Sequence, residues 1–183
     1  MNVHNIVAIA GSINKDSLNK ALVNTMAELA PAELKITPLD IEQLPFYSRT
    51  IEEAELPQSI LDYKTAIHGA DGVIFSTPEY DHSMPGVLKN ALDWASREAS
   101  KVVLNGKKIA VCGATTGGWG TVRAQQNLRL VLYAHGAIVM SSNALMVPKA
   151  RAFYNEGKLI DEALQEKIKK FLDGYLAFLN SFK

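Results

Sequence analysis

What most constrains this chain is a recurrence. Residues 5–10, 34–39, 72–77, 108–113 and 137–142 are short β-branched runs of strand length, and some of them, such as VIFS and IAVCG, are almost wholly apolar. A strand that faces water on one side alternates apolar and polar residues. A strand apolar on both faces must be covered on both, which implies a parallel sheet between layers of helix. The intervening segments carry helical spacing: Leu18, Leu22, Met26 and Leu29; Ile60, Tyr63 and Ile67; Val87, Ala91, Trp94 and Ala95. Val122, Leu128, Val131, Leu132 and His135 continue it, and Ile160, Leu164, Ile168, Leu172, Tyr175 and Leu179 close it. The order βαβαβαβαβα predicts a doubly wound α/β fold on five parallel strands. At 183 residues one domain, 1–183, is expected, large enough to bury its core without metal or disulfide staples. Residues 41–56 and 148–159 lack a clear period and are expected to be surface loops.

Composition removes several functions. Nineteen basic residues balance nineteen acidic ones and no Lys/Arg cluster stands out, so neither nucleic acid nor an anionic membrane has electrostatic support as a partner. The opening MNVHNIVAIAGS lacks a basic region before its apolar run, and no run is long enough to span a bilayer. A cytoplasmic protein is expected. Cys112, the only cysteine, lies inside KKIAVCGA and reads as a small buried hydrophobe.

In a doubly wound sheet ligands sit beyond the carboxyl ends of the strands, near the point where strand order reverses. Three loops at those ends carry unusual residues. AGSINKDSLNKAL offers Gly11 for a tight turn and Ser12, Asn14, Ser17 and Asn19 as donors around the free N–H groups of a helix start, a setting suited to phosphate. Ser17 as a plain helix cap is the simpler alternative. The motif is neither GxxxxGK[ST] nor GxGxxG, which disfavours a nucleotide hydrolase or a standard dinucleotide site. TPEYDHSMPG is stiffened by Pro78 and Pro85. It reads as a rigid connector, or as a wall whose backbone addresses a planar heterocycle, with Tyr80 able to stack or to fill a gap. Glu79, Asp81 and His82 are too close along the chain to converge on one ion, so no metal is expected. GATTGGWG offers Thr115, Thr116, Gly117 and Gly118, a loop of small bulk that reads as a flexible turn or as a close approach to something flat. No Ser/His/Asp or Cys/His motif and no poised carboxylate pair is visible. No side chain is therefore assigned as catalytic, and a cofactor is expected to carry the chemistry.

GSINKDSLN, PEYDHSMPGVLKNALDWASR and GGWGTVRAQQNLRLVL resemble, in order along the chain, the NADPH-dependent FMN reductase family, a flavodoxin-like group of quinone, azo-dye and chromate reductases. The resemblance implies FMN as bound cofactor and NADPH or NADH as co-substrate. Its phosphate loop falls on Ser12, Asn14, Ser17, Leu18 and Asn19. The loop at one ring edge falls on Pro78, Glu79, Tyr80 and Asp81, with Ser83 nearby, and the loop at the other on Thr115, Thr116, Gly117 and Gly118. It implies a homodimer or homotetramer, with Asp93, Trp94 and Arg97 on the helix such interfaces use. Two departures stand out. The family often has arginine where this chain has Asn14, which removes a full charge facing the phosphate. Its usual asparagine is here Asp81, which adds negative charge near a cofactor that becomes anionic when reduced.

The expected activity is an NAD(P)H oxidoreductase passing hydride through FMN to a small acceptor: a quinone, azo compound, metal oxyanion or flavin. The start of the helix after Gly118 is expected to face the ring edge where negative charge grows. On this reading, joint alanine replacement of Ser17 and Asn19 weakens FMN affinity, while Cys112→Ala leaves turnover intact. Two alternatives share the fold. One is an FMN-binding electron carrier, disfavoured by the balanced charge and pI ≈ 6.9. The other is a non-catalytic flavin sensor.

Overall fold

The computed structural model describes residues 3–97, 102–142 and 144–181. Strands β1 (His4–Ala10), β2 (Leu34–Leu39), β3 (Gly72–Ser76) and β4 (Lys108–Ala114) are followed by two short ones, β5 (Ile138–Val139) and β6 (Leu145–Val147). All pair in parallel in the order β2-β1-β3-β4-β5, with β6 also on β4. The helices are α1 (Leu18–Leu29), α2 (Arg49–Glu52), α3 (Gln58–Gly69), α4 (Gly86–Ser96), α5 (Val122–Ala134) and α6 (Glu162–Asn180). This is the flavodoxin-like order, and it reverses between β1 and β3.

Alternate residues of β1, β3 and β4 enter opposite cores. Ile6, Ala8 and Ala10 pack with Ile74, Ala110 and Cys112 against α1 and α6. Val7 and Ile9 pack with Val73, Phe75, Ile109 and Val111 against α3, α4 and α5. That is why the runs are apolar at nearly every position: neither face reaches water. Cys112 is fully buried, and burial pushes its thiol up to about 12, against the opposing effect of a hydrogen bond with Ser76. The thiolate is the reactive form, so a thiol reagent is expected to leave the native protein unmodified and to label one thiol per chain in denaturant. Rapid labelling of the folded protein would contradict this placement.

The fifth strand differs from expectation. Instead of one run over 137–142, Val139 lies opposite Ile109 but Leu145 opposite Cys112, so the register shifts by three residues between β5 and β6. The small polar Ser141 and Ser142 do not hold a ladder, and the carbonyl of Met140 is taken by the Arg129 guanidinium at 2.7 Å. Pairing resumes where Leu145 and Val147 bury their side chains against the α6 side of the core. The two expected loops also contain structure. Residues 41–56 hold α2, capped by Ser48 Oγ. Residues 148–159 hold a 3₁₀ turn, Ala150–Phe153, and an antiparallel hairpin of β7 (Tyr154–Asn155) and β8 (Lys158–Leu159), whose turn residues Glu156 and Gly157 both have positive φ. Helix α6 starts at Glu162, two residues after the first periodic apolar residue, because Asp161 caps it at Leu164 N (2.8 Å).

Trp94 lies in the core, as its place in the apolar stripe of α4 predicts. It is 1% exposed, donates its indole N–H to the Pro45 carbonyl (2.8 Å) and meets the Tyr47 ring edge-on at 5.1 Å. Arg97 stacks on the same ring at 4.6 Å, and Asp93 binds Lys89. The end of α4 is thus engaged by this chain's own residues 45–47.

Candidate functional site

Registry brings three strand ends level. Ala10 lies opposite Ser76, and Ser76 opposite Cys112, so the loops after β1, β3 and β4 leave the sheet at one edge beside the reversal point. After β1, Gly11 continues the ladder by donating to the Ser76 carbonyl (2.8 Å), and an added Cβ would sit 2.8 Å from Leu88 Cδ2. Gly11 thus eases a close passage over Leu88 of α4 and serves no left-handed turn. Ser12 is buried and its hydroxyl accepts a long bond from Asn14 N (3.4 Å), while Asn14 itself is exposed. Ser17 caps α1 through Lys20 N (3.2 Å) and also lines the cleft. The cap leaves the first-turn N–H groups of Leu18 and Asn19 without helical acceptors.

Asn19 is 2% exposed, and both ends of its side-chain amide are engaged. It donates to the Ala114 carbonyl (2.9 Å) and accepts from the Ser76 hydroxyl (2.8 Å) and Ala114 N (3.0 Å). These bonds tie α1 to the ends of β3 and β4 and fix the amide in place. A ligand can still be met by the backbone N–H of Asn19.

The loop after β3 is stiff for a reason the prolines do not give. The Glu79 carboxylate accepts from Arg123 N (3.0 Å) and Ala124 N (3.2 Å), the open N–H groups at the start of α5, and lies 3.8 Å from the Arg123 guanidinium. This corrects the expectation that the start of α5 is free to meet a ligand: a carboxylate from the neighbouring loop already fills it. Tyr80 and Ser83 exchange both backbone hydrogen bonds, and Asp81 and His82 between them have φ of 47° and 62°. That is a two-residue turn with positive φ at both centres, for which asparagine and aspartate are among the favoured first residues. Backbone geometry thus accounts for Asp81. His82 faces Arg123 at 2.9 Å. Among the described residues no group of three or more His, Cys, Asp or Glu could hold a metal ion.

After β4 the loop is laced to the segment after β6. Thr115 N donates to the Val147 carbonyl (3.0 Å), Lys149 N to Gly117 (2.9 Å) and Ala150 N to Thr115 (2.9 Å). Trp119, 72% exposed, carries the Arg123 guanidinium 5.6 Å from its ring centre.

The three loops enclose an open cleft of about 270 Å³. Ser12, Asn14, Ser17, Leu18 and Asn19 line one end, Pro78, Glu79 and Tyr80 one wall, and Thr115 and Thr116 the other. Asp81, Ser83, Gly117 and Gly118 belong to the same loops but do not line it. Asp16, Ala114 and Arg151 line it without having been singled out from the sequence. Hydroxyls, open helix N–H groups and one guanidinium at the helix end suit a phosphate, while backbone walls with an exposed Tyr80 suit a flat ring. The donor set fits a phosphorylated heterocycle such as FMN.

Comparison with known proteins agrees with this chemistry. The profile of the NADPH-dependent FMN reductase family matches residues 4–152. The chain is 36% identical over 175 residues to a 2-hydroxy-1,4-benzoquinone reductase of a Burkholderia species, covering 95% of each. It is 35% identical over 168 residues to an NAD(P)H-dependent FMN reductase of Pseudomonas aeruginosa, covering 91% of this chain and 90% of that one. Among solved structures, FerB from Paracoccus denitrificans, a flavoenzyme NAD(P)H:(acceptor) oxidoreductase, superposes with a TM-score of 0.88 at 34% identity over 97% of both chains. The chain belongs to the NADPH-dependent FMN reductase family and is an NAD(P)H oxidoreductase that uses FMN.

Proposed function

Because the chain belongs to that family, we propose that it reduces a small quinone at the expense of NADPH or NADH, with FMN held in the cleft after β1, β3 and β4. The similarity to a 2-hydroxy-1,4-benzoquinone reductase over nearly the whole chain supports a quinone ahead of an azo compound, a metal oxyanion or free flavin. When bound, FMN takes hydride from the nicotinamide and passes reducing equivalents to the acceptor. The protein's part is to hold and orient. The N–H groups of Leu18 and Asn19 and the hydroxyls of Ser12 and Ser17 face the phosphate, with Asn14 at the rim. Pro78, Glu79, Tyr80, Asp81 and Ser83 form the segment along one ring edge, and Thr115, Thr116, Gly117 and Gly118 along the other.

The observation that carries the proposal is that ten of these residues meet in one cleft although they come from three separate loops. Glu79 keeps two of those loops at a fixed spacing by capping α5, which lowers the ordering cost of binding a rigid ring. Homodimer or homotetramer assembly is part of the same proposal, supported by Leu130 and Tyr133, large α5 side chains that are 68% and 79% exposed. So is a cytoplasmic location; among the described residues no helix is long and apolar enough to cross a membrane.

The test is optical. Protein loaded with FMN and freed of excess is expected to keep a flavin spectrum, to bleach under anaerobic NADPH or NADH, and to recover colour on adding a benzoquinone. A retained spectrum unaffected by either nucleotide would favour the electron carrier or the sensor. Bleaching reversed by an azo dye but not by a quinone would move the acceptor class.

A further inference from the structure

Among the described residues Arg151 is the one basic side chain lining the cleft, and it enters from a segment other than the phosphate loop. Its backbone is fixed. Ala150 is fully buried and donates to the Thr115 carbonyl (2.9 Å), Lys149 N donates to Gly117 (2.9 Å), and Lys149 turns the chain with φ 51°. The guanidinium is aimed as well. Its Cζ lies 4.8 Å above the Tyr154 ring, and Nη2 donates to the Asp16 carbonyl oxygen (3.3 Å), which pins the side chain across the mouth of the loop before α1. Tyr154 in turn donates its hydroxyl to the Asp16 carboxylate at 3.4 Å.

The charge of Arg151 has no carboxylate within ion-pair distance among the described residues, unlike Lys20, which lies 3.6 Å from Asp40 and 3.9 Å from Glu42. A guanidinium carries five donors in a planar fork, and these contacts occupy one of them. Asn14, on the loop after β1, is neutral. An anion at the α1 end of the cleft would therefore find uncharged hydroxyls and amides on one side and a single pre-positioned cation on the other.

We propose that Arg151 is the phosphate-binding cation of this site, recognising the terminal phosphate monoester of FMN from the turn after β6 in place of a charge on the loop after β1. The inference rests on the FMN reading above and adds the residue that tells a phosphorylated flavin from an unphosphorylated one. The Asp16 carboxylate accepts from the Tyr154 hydroxyl (3.4 Å), so the turn that supplies the cation also engages the nearby carboxylate. A charge-assisted contact also predicts that added salt weakens FMN binding more in the wild type than in a variant lacking this cation.

The experiment measures dissociation constants of FMN and riboflavin for apoprotein, by quenching of flavin fluorescence, in wild type, Arg151→Gln and the double variant Arg151→Gln with Asn14→Arg. Arg151→Gln is expected to raise the FMN constant about 10- to 100-fold and to leave riboflavin unchanged, which also shows that the cleft is intact. Asn14→Arg in that background is expected to recover most of the loss. Equal weakening of both flavins, or no change in either, overturns the role of Arg151 while the FMN reading stands. So does unchanged FMN affinity with a higher KM for NADPH alone, which would assign Arg151 to the reductant. Wild-type apoprotein that binds neither flavin overturns both.

Discussion

Asn19→Ala is expected to lower stability by about 3–4 kcal/mol, even though the same residue belongs by position to the phosphate loop. The alanine would take the amide partner from three groups at the sheet edge: the carbonyl and N–H of Ala114, and the hydroxyl of Ser76, which keeps its contact with the Cys112 thiol. An orphaned buried polar group costs about 1–3 kcal/mol, and water entering from the cleft recovers part of the total. For a chain of this size the change corresponds to a melting point roughly 10 °C lower. FMN affinity is expected to fall too, because the loop before α1 is tied to β4 through this side chain. Ser17→Ala serves as the comparison, since it removes one cap worth about 1 kcal/mol. A joint replacement of Ser17 and Asn19 would mix loss of fold with loss of ligand contact, so the two changes are informative only apart. A melting point for Asn19→Ala equal to that of Ser17→Ala would show that the amide ties are not holding the edge.

The parts of the fold that could be read in advance are those with a single physical reason behind them. β1, β3 and β4 are apolar on both faces because both faces are covered, and α1, α3, α4 and α5 keep their periods because each buries one stripe. The fifth strand failed this logic. Pairing along β4 is interrupted and then resumed, and the resumption at Leu145 depends on a partner 33 residues away rather than on the local run. The hairpin of β7 and β8 was hidden differently: its turn is Glu156–Gly157, without the asparagine or aspartate that marks such turns.

For the site, position was legible and interaction was not. Loops after parallel strands all emerge at the carboxyl edge, which sufficed to bring Ser12, Pro78 and Thr115 to one cleft. The role of Glu79 was not visible because its partners, Arg123 and Ala124, lie 44 and 45 residues away. Trp94 was legible as part of the buried stripe of α4, but the pattern gives no sign that Pro45 and Tyr47 fold over it. Arg151 left one usable trace. It follows the last strand of a parallel sheet, so it had to start at the same edge as the three loops, and a basic residue there could have been weighed as part of the site.

Gly113→Ala is expected to cost about 3 kcal/mol or to prevent folding, whereas Gly118→Ala is expected to be close to neutral. The contrast turns on which glycine the structure needs. GGWG invites the view that Gly117 and Gly118 make room for a ligand, yet an added Cβ on Gly118 meets nothing within 4 Å. On Gly113 it would overlap the Thr77 carbonyl oxygen and Thr121 Oγ1. Neither can step aside easily. Thr77 N donates to the Cys112 carbonyl (2.9 Å) and so belongs to the β3–β4 edge, while Thr121 is fully buried with φ 66° and accepts from the Gln125 side chain (3.1 Å). Pushing Thr77 outward moves Pro78 and Glu79, and pushing Thr121 shifts the start of α5 that Glu79 caps. The same methyl group therefore strains the sheet edge and the proposed ring-edge wall together. Thermal unfolding and flavin titration of the two variants separate the cases. Equal melting points for Gly113→Ala and Gly118→Ala would mean that β4 can withdraw from Thr77, and that the close packing of these loops is not what sets the cleft's shape.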